Sequence, residues 1–112
     1  MESTRQQKVA RLLQKDLGEI LQTVSAEVTA GAMLTVTVVR ISPDLSVARV
    51  YVSVFPSEKA VQVLKNLQQH SAGIRLQLGR RVRHQLRIVP ELAFFIDDSL
   101  DYVERMDELL AR

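Results

Sequence analysis

The most distinctive chemistry in the chain lies in the stretch 59–90, which contains basic side chains and no acidic one. Clustered positive charge attracts phosphates, so this stretch points to an anionic partner such as a nucleic acid. The alternative is a solvated basic face that is balanced by the acidic stretch 91–112. The basic residues of the stretch are Lys59, Lys65, Arg75, Arg80, Arg81, Arg83 and Arg87.

Three of these arginines recur at helical spacing. Arg80, Arg83 and Arg87 stand at i, i+3 and i+7, which predicts one basic stripe on a helix whose opposite side is apolar. Arg75 and Arg81 fall nearer the apolar side of the same predicted helix. The stripe is therefore the stronger candidate for phosphate contact, and Arg75 and Arg81 are weaker candidates.

A second basic stripe is predicted in the first helix, where Lys8, Arg11 and Lys15 repeat at i, i+3 and i+7. Between the two stripes along the chain, three small residues follow one another at Ser71, Ala72 and Gly73. In the middle of a helical pattern, such a run indicates a kink or a joint between two helices. Its backbone amides offer a close approach to a ligand, because little side chain stands in the way.

Other chemistries find little support in the residues. The chain has no cysteine, which excludes disulfides, thiolate metal sites and thiol nucleophiles. Asp97, Asp98 and Asp101 resemble a metal-binding cluster, but acidic residues at the start of a helix complement its dipole, and we expect no metal or other cofactor. We expect His70 and His84 to be surface residues. No nucleophile–base pair or phosphate-binding loop is present, so we do not expect an enzyme or a small-molecule substrate.

Length and composition bound the fold. With 112 residues, of which 46% are hydrophobic and 25% charged, residues 1–112 are expected to form a single globular domain. No apolar run is long enough to cross a membrane, and no secretory signal is visible. We therefore expect a cytoplasmic protein without membrane contact, and we assume a monomer.

The hydrophobic pattern predicts the element order α-β-β-α-(kink)-α-β-α. Helices are predicted over 3–28, from Ser57 to Pro90 with a bend at 71–73, and over about 99–111, where the last helix is peripheral. Strands are predicted over 33–41, 47–55 and 91–96, and the first two form a hairpin whose turn contains Asp44. This order predicts an α+β fold with a three-stranded mixed sheet and helices on one face.

The element order resembles a type II KH fold, but the GXXG loop of ordinary KH domains is absent. The run Ser71-Ala72-Gly73 is instead similar to the Ala-x-Gly kink of bacterial ribosome-binding factor A, although it reads Ser-Ala-Gly. Two stretches carry the resemblance to that family most specifically. The hairpin segment 41–54 matches S-x-D-L-x-x-A-x-V-Y-V-S, and the segment 87–99 matches R-x-x-P-E-L-x-F-x-x-D-x-S. The helix opening Arg5-Gln6-Gln7-Lys8-Val9-Ala10 adds to a resemblance that covers about residues 5–110.

The resemblance implies a ribosome-assembly factor. Such a protein binds the free small (30S) subunit and assists late maturation of 16S rRNA, including 5′-end processing, especially in the cold. A ribosome-associated GTPase is linked to its release. The residues expected to contact the RNA are Lys8, Arg11, Lys15, Ser71, Ala72, Gly73, Arg75, Arg80, Arg81, Arg83 and Arg87.

Three alternatives remain open on the sequence. A generic KH-like RNA-binding module would bind any naked RNA with similar affinity. A small enzyme or metal protein would lose activity when one polar residue is replaced. A protein-interaction module would depend on the acidic segment 97–112 rather than on the basic stripes.

Overall fold

A computed structural model describes residues 3–97 of the chain. The predicted helix over 99–111 lies outside these residues. The helices are α1 (Thr4–Thr23), α2 (Ala26–Thr29), α3 (Ala60–Gln69) and α4 (Ser71–Val82), with a 3₁₀ turn at Ser57–Lys59. The strands are β1 (Met33–Ile41), β2 (Val47–Phe55) and β3 (Glu91–Ile96).

The three strands form one mixed sheet in the order β1-β2-β3. β1 and β2 are an antiparallel hairpin, and β3 returns parallel to β2. The long connection through α3 and α4 makes the parallel pairing possible, because a parallel strand needs a crossover. The predicted α+β fold and the predicted bounds of all three strands are confirmed.

The helices cover one face of the sheet. Leu13 and Leu17 of α1 and Leu67 of α3 are completely buried against strand residues such as Val50 and Val52. On the opposite face the side chains of Met33 and Phe55 are each 67% exposed. The sheet therefore has an inner face in the core and an outer face that no described helix covers.

A β-bulge at Thr37 changes which residues of β1 face the core. Val36 pairs with Val52 and Val38 pairs with Tyr51, so Thr37 is an extra residue on β1. Alternation predicts that Val38 shares the buried face with Leu34 and Val36, and this prediction is wrong. Past the bulge the parity is reversed, and Val39 and Ile41 are buried instead.

The first helix is shorter than the predicted 3–28. α1 ends at Thr23, Val24 is extended at φ −67° and ψ 154°, and the short helix α2 follows. Thr23, Val24 and Ser25 all have low helix propensity, which explains a break at this point. The spacing of Ser3 and Gln6 predicts a capping box, and it is present, since the Ser3 hydroxyl accepts from the Gln6 amide and the Gln6 side chain accepts from the Ser3 amide.

The second helical region also differs at both ends. Ser57 does not cap α3, because it lies inside the 3₁₀ turn and Lys59 occupies the N-cap position of α3. α4 ends at Val82 rather than continuing to Pro90. The amides of Gln85 and Leu86 both donate to the Val82 carbonyl at 2.8 Å, and the chain turns so that the Leu86 side chain enters the core.

The hairpin turn is organised by Asp44, as predicted. Its carboxylate accepts hydrogen bonds from the Ser46 hydroxyl at 2.7 Å, the Ser42 hydroxyl at 2.8 Å and the Ser46 amide at 3.1 Å. Together these bonds, led by the Ser46 hydroxyl, lower the pKa of Asp44 from 3.8 to about 2. The ionised carboxylate is therefore part of the folded turn.

This geometry predicts the pH dependence of the turn. A depressed folded-state pKa means that the contribution of Asp44 is present above pH 3.8 and is lost as the pH falls through about 2. We expect an NMR titration of the Asp44 carboxyl to have its midpoint near pH 2, and Ser46→Ala to raise that midpoint towards 3.8. A midpoint near 3.8 in the unsubstituted protein would contradict the hydrogen-bonded turn.

Candidate nucleic-acid interface

One side of α4 forms a shallow groove with an apolar floor and a basic rim. Leu76 and Gly79 of α4 form the floor with Val89, which precedes β3. A β-carbon added at Gly79 would lie 3.3 Å from the Val89 side chain, so the absence of a side chain permits this close approach. The rim consists of Arg75, Arg80 and Arg83, and Ala72 closes one end.

Arg75 fixes one wall of the groove. Its Nε donates to the Pro90 carbonyl at 3.1 Å and its Nη2 donates to the Val89 carbonyl at 2.6 Å. These bonds tie α4 to the segment that leads into β3. Arg75 therefore has a structural role in this groove.

Arg80 and Arg83 are exposed on the groove rim, one helical turn apart. Within residues 3–97 neither forms an ion pair with an acidic side chain, and the Nε of Arg83 donates to His84 Nε2 at 3.3 Å. Both guanidinium groups can therefore meet phosphate without first breaking an ion pair to a described residue.

Arg81 points to the opposite side of α4 and joins it to α1. Its guanidinium contacts the carboxylates of Glu19 and Asp16, the latter at 3.3 Å. The hydrogen bond to Glu19, followed by that to Asp16, raises the pKa of Arg81. Among the predicted RNA-contacting arginines, Arg81 is thus the one that pairs with acidic side chains of residues 3–97.

Arg87 does not continue the helical stripe, because α4 ends at Val82. It lies in the bend that follows and lines a separate cavity with Arg5, Ile88 and the Asp44 turn. The structure therefore brings Arg80 and Arg83 together with Arg75, and it places Arg87 elsewhere.

The stripe of α1 is exposed as predicted, and Lys8, Arg11 and Lys15 form no ion pair within the described chain. Lys8 lines a shallow cavity with Arg5 and with Gln85 and Leu86 of the segment after α4. The stripe is therefore next to the end of α4, but on the α1 side of it rather than in the groove.

The small residues lie at the start of α4 rather than at the break itself. His70 separates the two helices at φ −103° and ψ 10°, and Ser71, Ala72 and Gly73 form the first turn of α4. Ala72 and Gly73 are exposed, and nothing lies within 4 Å of a β-carbon added at Gly73. The joint is confirmed one residue earlier than predicted, and Gly73 is not required there by packing.

Gly73→Ala separates folding from ligand contact. Because the added methyl group meets no atom and alanine favours a helix, we expect the free energy of unfolding to stay equal or rise by up to about 1 kcal/mol. If RNA approaches this backbone closely, the same variant binds more weakly. Thermal unfolding and RNA binding measured side by side test this, and a destabilised Gly73→Ala protein would contradict the open geometry.

Sequence reasoning missed two buried polar residues that join helices to neighbouring elements. Buried Gln6 donates to the Ile41 carbonyl at 2.9 Å, and buried Asn66 donates to the Val28 carbonyl at 3.1 Å. Asn66 lies on the same helical face as the apolar residues Val63 and Leu67. A polar residue on such a face is the sequence signal that indicates a buried hydrogen bond. The first bond joins α1 to β1, and the second joins α3 to α2.

The described residues contain no cluster of three or more acidic or histidine side chains that could hold a metal. His70 and His84 are exposed, as predicted. In the same part of the chain no helix is long and apolar enough to span a membrane. The arrangement is that of a binding surface whose chemistry is positive charge around an apolar floor.

The sequence matches the family model described as ribosome-binding factor A over residues 5–110. The chain belongs to the ribosome-binding factor A family. It is 44% identical to ribosome-binding factor A of Cytophaga hutchinsonii, with 100% of this chain and 84% of the relative covered. It is 47% identical to that of Flavobacterium psychrophilum, with 99% and 86% covered. The resemblance predicted from the hairpin and from the segment 87–99 is thereby confirmed.

Solved structures of ribosome-binding factor A have the same fold. The crystal structure of the Thermus thermophilus protein matches with a TM-score of 0.68 at 31% identity, covering 81% of this chain and 94% of that one. A Thermus thermophilus ribosome-binding factor A model fitted into a cryo-EM map of a 30S complex matches with a TM-score of 0.64 at 33% identity. That second match covers 80% of this chain and 91% of the other.

Proposed function

We propose that this protein binds the free small ribosomal subunit during its assembly, and that it contacts 16S rRNA through its basic surfaces. The observation that carries the proposal is the match to the ribosome-binding factor A family over residues 5–110. A relative from Thermus thermophilus is described in a 30S complex. We propose the same partner, the small ribosomal subunit, for this chain.

The groove beside α4 is the surface best suited to the contact. Arg80 and Arg83 project from its rim without an ion pair to a described residue, and phosphate contacts from such residues position a protein without reading sequence. Lys8, Arg11 and Lys15 supply further phosphate contacts from α1, and Arg87 supplies one from the bend. Arg75 and Arg81 contribute mainly by holding the surface together. Ser71, Ala72 and Gly73 let the RNA backbone approach α4.

Recognition on this surface depends on RNA shape. Aromatic residues make up only 4% of the chain, and Phe94 is buried in the core. Stacking on exposed rings, the usual route to sequence-specific RNA readout, is therefore not available at the α4 groove. A folded subunit presents the required phosphate arrangement, whereas an unstructured RNA does not.

The resulting role is assistance in late 16S rRNA maturation, including processing of the 5′ end, with the largest effect in the cold. Release from the subunit involves a ribosome-associated GTPase. Depleting the protein in its host should let precursor 16S rRNA with an unprocessed 5′ end accumulate, more strongly at low temperature. Primer extension measures this end, and unchanged 5′ ends at every temperature would contradict the processing role.

The competing function is a generic RNA-binding module. Competition distinguishes the two, because unstructured RNA in excess displaces a generic module from the subunit but leaves a shape-specific factor bound. A sedimentation assay with such a competitor reads out the difference. Displacement of the protein from the subunit by the excess of unstructured RNA would favour the generic module.

A further inference from the structure

A cavity of about 200 Å³ lies where the hairpin turn, α1 and the bend after α4 meet. Its apolar walls come from all three elements, with Val9 in α1, Leu45 in the turn, and Leu86 and Ile88 in the bend. Cavities for drug-sized ligands measure about 300–1,000 Å³, so this one has room for a single ring system rather than a whole nucleotide. Ile88 is 71% exposed, so the apolar surface continues to the mouth of the cavity.

Two positive charges stand at the same cavity. Arg5 of α1 and Arg87 of the bend both line it, and both are exposed. Neither forms an ion pair with an acidic side chain of residues 3–97. A phosphate group can therefore meet either guanidinium without first breaking an ion pair to a described residue.

The turn also supplies a hydrogen-bond acceptor that the fold does not use. The three hydrogen bonds to the Asp44 carboxylate, from the hydroxyls of Ser42 and Ser46 and from the Ser46 amide, all end on Oδ1. The second oxygen, Oδ2, accepts no hydrogen bond from residues 3–97. Because the pKa of Asp44 is about 2, the carboxylate is ionised at neutral pH. Oδ2 is then an acceptor only, and it selects a ligand with N–H donors.

An unpaired nucleobase has the chemistry that this cavity requires. Its ring packs against apolar walls, its flanking phosphates pair with arginine, and its edge carries hydrogen-bond donors. Guanine fits best, because its Watson–Crick edge places two donors, N1–H and the N2 amino group, side by side. Uracil fits worst, because its single N3–H donor lies between two carbonyl oxygens that a carboxylate repels.

We infer that the cavity receives one unpaired guanine of 16S rRNA, with Asp44 Oδ2 accepting from its Watson–Crick edge and with Arg5 and Arg87 pairing with the flanking phosphates. The contact adds one base-specific point to a protein whose other basic surfaces respond to RNA shape. The inference rests on the proposed function, because the guanine belongs to the RNA of the small subunit.

Three pentaribonucleotides test the inference on the full-length, ¹⁵N-labelled protein. They are UUGUU, UUUUU and UUIUU, in which inosine replaces guanosine and lacks only the N2 amino group. We expect UUGUU to shift the amide signals of residues 44–46 and 86–88 and to bind at least about fivefold more tightly than UUUUU, with UUIUU between them. Equal affinities for the three, or shifts confined to other segments, would overturn the inference.

Asp44→Asn separates base recognition from the integrity of the turn. The asparagine Oδ1 can still accept the three hydrogen bonds of the turn, but an amino group replaces Oδ2. We therefore expect the preference for UUGUU over UUUUU to disappear. Ser46→Ala is the matched control, because it removes one turn hydrogen bond, keeps Oδ2 and should keep the preference. A preference retained in Asp44→Asn, or lost equally in Ser46→Ala, would contradict the role of Oδ2.

Arg87→Gln tests the phosphate contact. Because a phosphate carries no base identity, we expect this variant to weaken all three oligonucleotides by a similar factor. A loss confined to UUGUU would contradict the assignment of Arg87 to phosphate.

Sedimentation with small subunits keeps this inference distinguishable from the proposed function. If the protein is retained on subunits but shows no preference for guanine, only the inference fails. If it prefers guanine but is not retained on subunits, the proposed function fails and the guanine site remains.

Discussion

Replacing Arg80 and Arg83 together by glutamine is expected to weaken binding to the free small subunit by about tenfold or more, with little change in thermal stability. Both guanidinium groups lie on the rim of the α4 groove, and neither is paired to an acid within residues 3–97. Each lost phosphate contact also lowers the magnitude of the slope of log affinity against log salt by about 0.7 to 0.9. Binding titrations at several salt concentrations measure both quantities.

Arg81→Gln is the matched control, since it removes one positive charge from the same helix. Arg81 already contacts Asp16 and Glu19, so we expect a smaller loss of affinity than from Arg80→Gln or Arg83→Gln alone. Ion pairs between exposed side chains contribute little to stability, so we expect this variant to stay folded. If Arg81→Gln weakened binding as much as the groove variants, the assignment of the interface to the groove would be wrong.

Leu78→Ala is expected to destabilise the protein by about 2–5 kcal/mol, the range for truncating a fully buried leucine. Leu78 is completely buried under the middle of α4 and fixes the helix that carries the groove. Loss of binding in this variant should follow the loss of folded protein and should recover when a lower denaturant concentration restores the fold. Chemical denaturation and subunit binding on the same samples test this relation.

Leu76→Ala on the same helix separates groove contact from folding. Leu76 is 59% exposed on the groove floor, so we expect its truncation to change stability by less than about 1 kcal/mol. Weaker binding of this well-folded variant would show that RNA enters the groove. If Leu76→Ala were as unstable as Leu78→Ala, the described orientation of α4 would be contradicted.

The strands could be predicted because their signal is local. β-Branched residues alternate in 33–41 and 47–55, and Pro43 and Asp44 supply the turn between them. The bulge at Thr37 could not be predicted, because an extra residue in one strand is defined by its partner. Consequently the pattern assigned Val38 to the core, whereas Val39 is buried.

The sequence could predict which basic residues contribute to the surface, but it could not predict how they are arranged in space. Helical periodicity extended the stripe from Arg80 and Arg83 to Arg87, yet the chain leaves the helix after Val82. The chain turns there so that the Leu86 side chain enters the core, and Arg75 then binds the carbonyls of Val89 and Pro90. The ion pairs of Arg81 join residues far apart in sequence, and spacing along a helix cannot indicate them.

The family could be predicted from the sequence because its motifs are specific to the family and are not shared by every protein of this fold. The hairpin and the segment 87–99 carry specific residues at fixed spacing, and the family match over residues 5–110 agrees with them. That match does not indicate which arginines meet RNA, because Arg75, Arg80 and Arg81 of α4 and Arg83 directly after it have different neighbours.

The most direct test of the proposed function is sedimentation of the purified protein with free small subunits, whole ribosomes and naked 16S rRNA at two salt concentrations. We expect salt-sensitive retention on the free small subunit, little retention on whole ribosomes, and less retention on naked 16S rRNA than on the free subunit. Equal retention on all three would contradict it and identify a non-specific basic module. If the protein were not retained on the small subunit, the proposal that it binds the ribosome would be wrong.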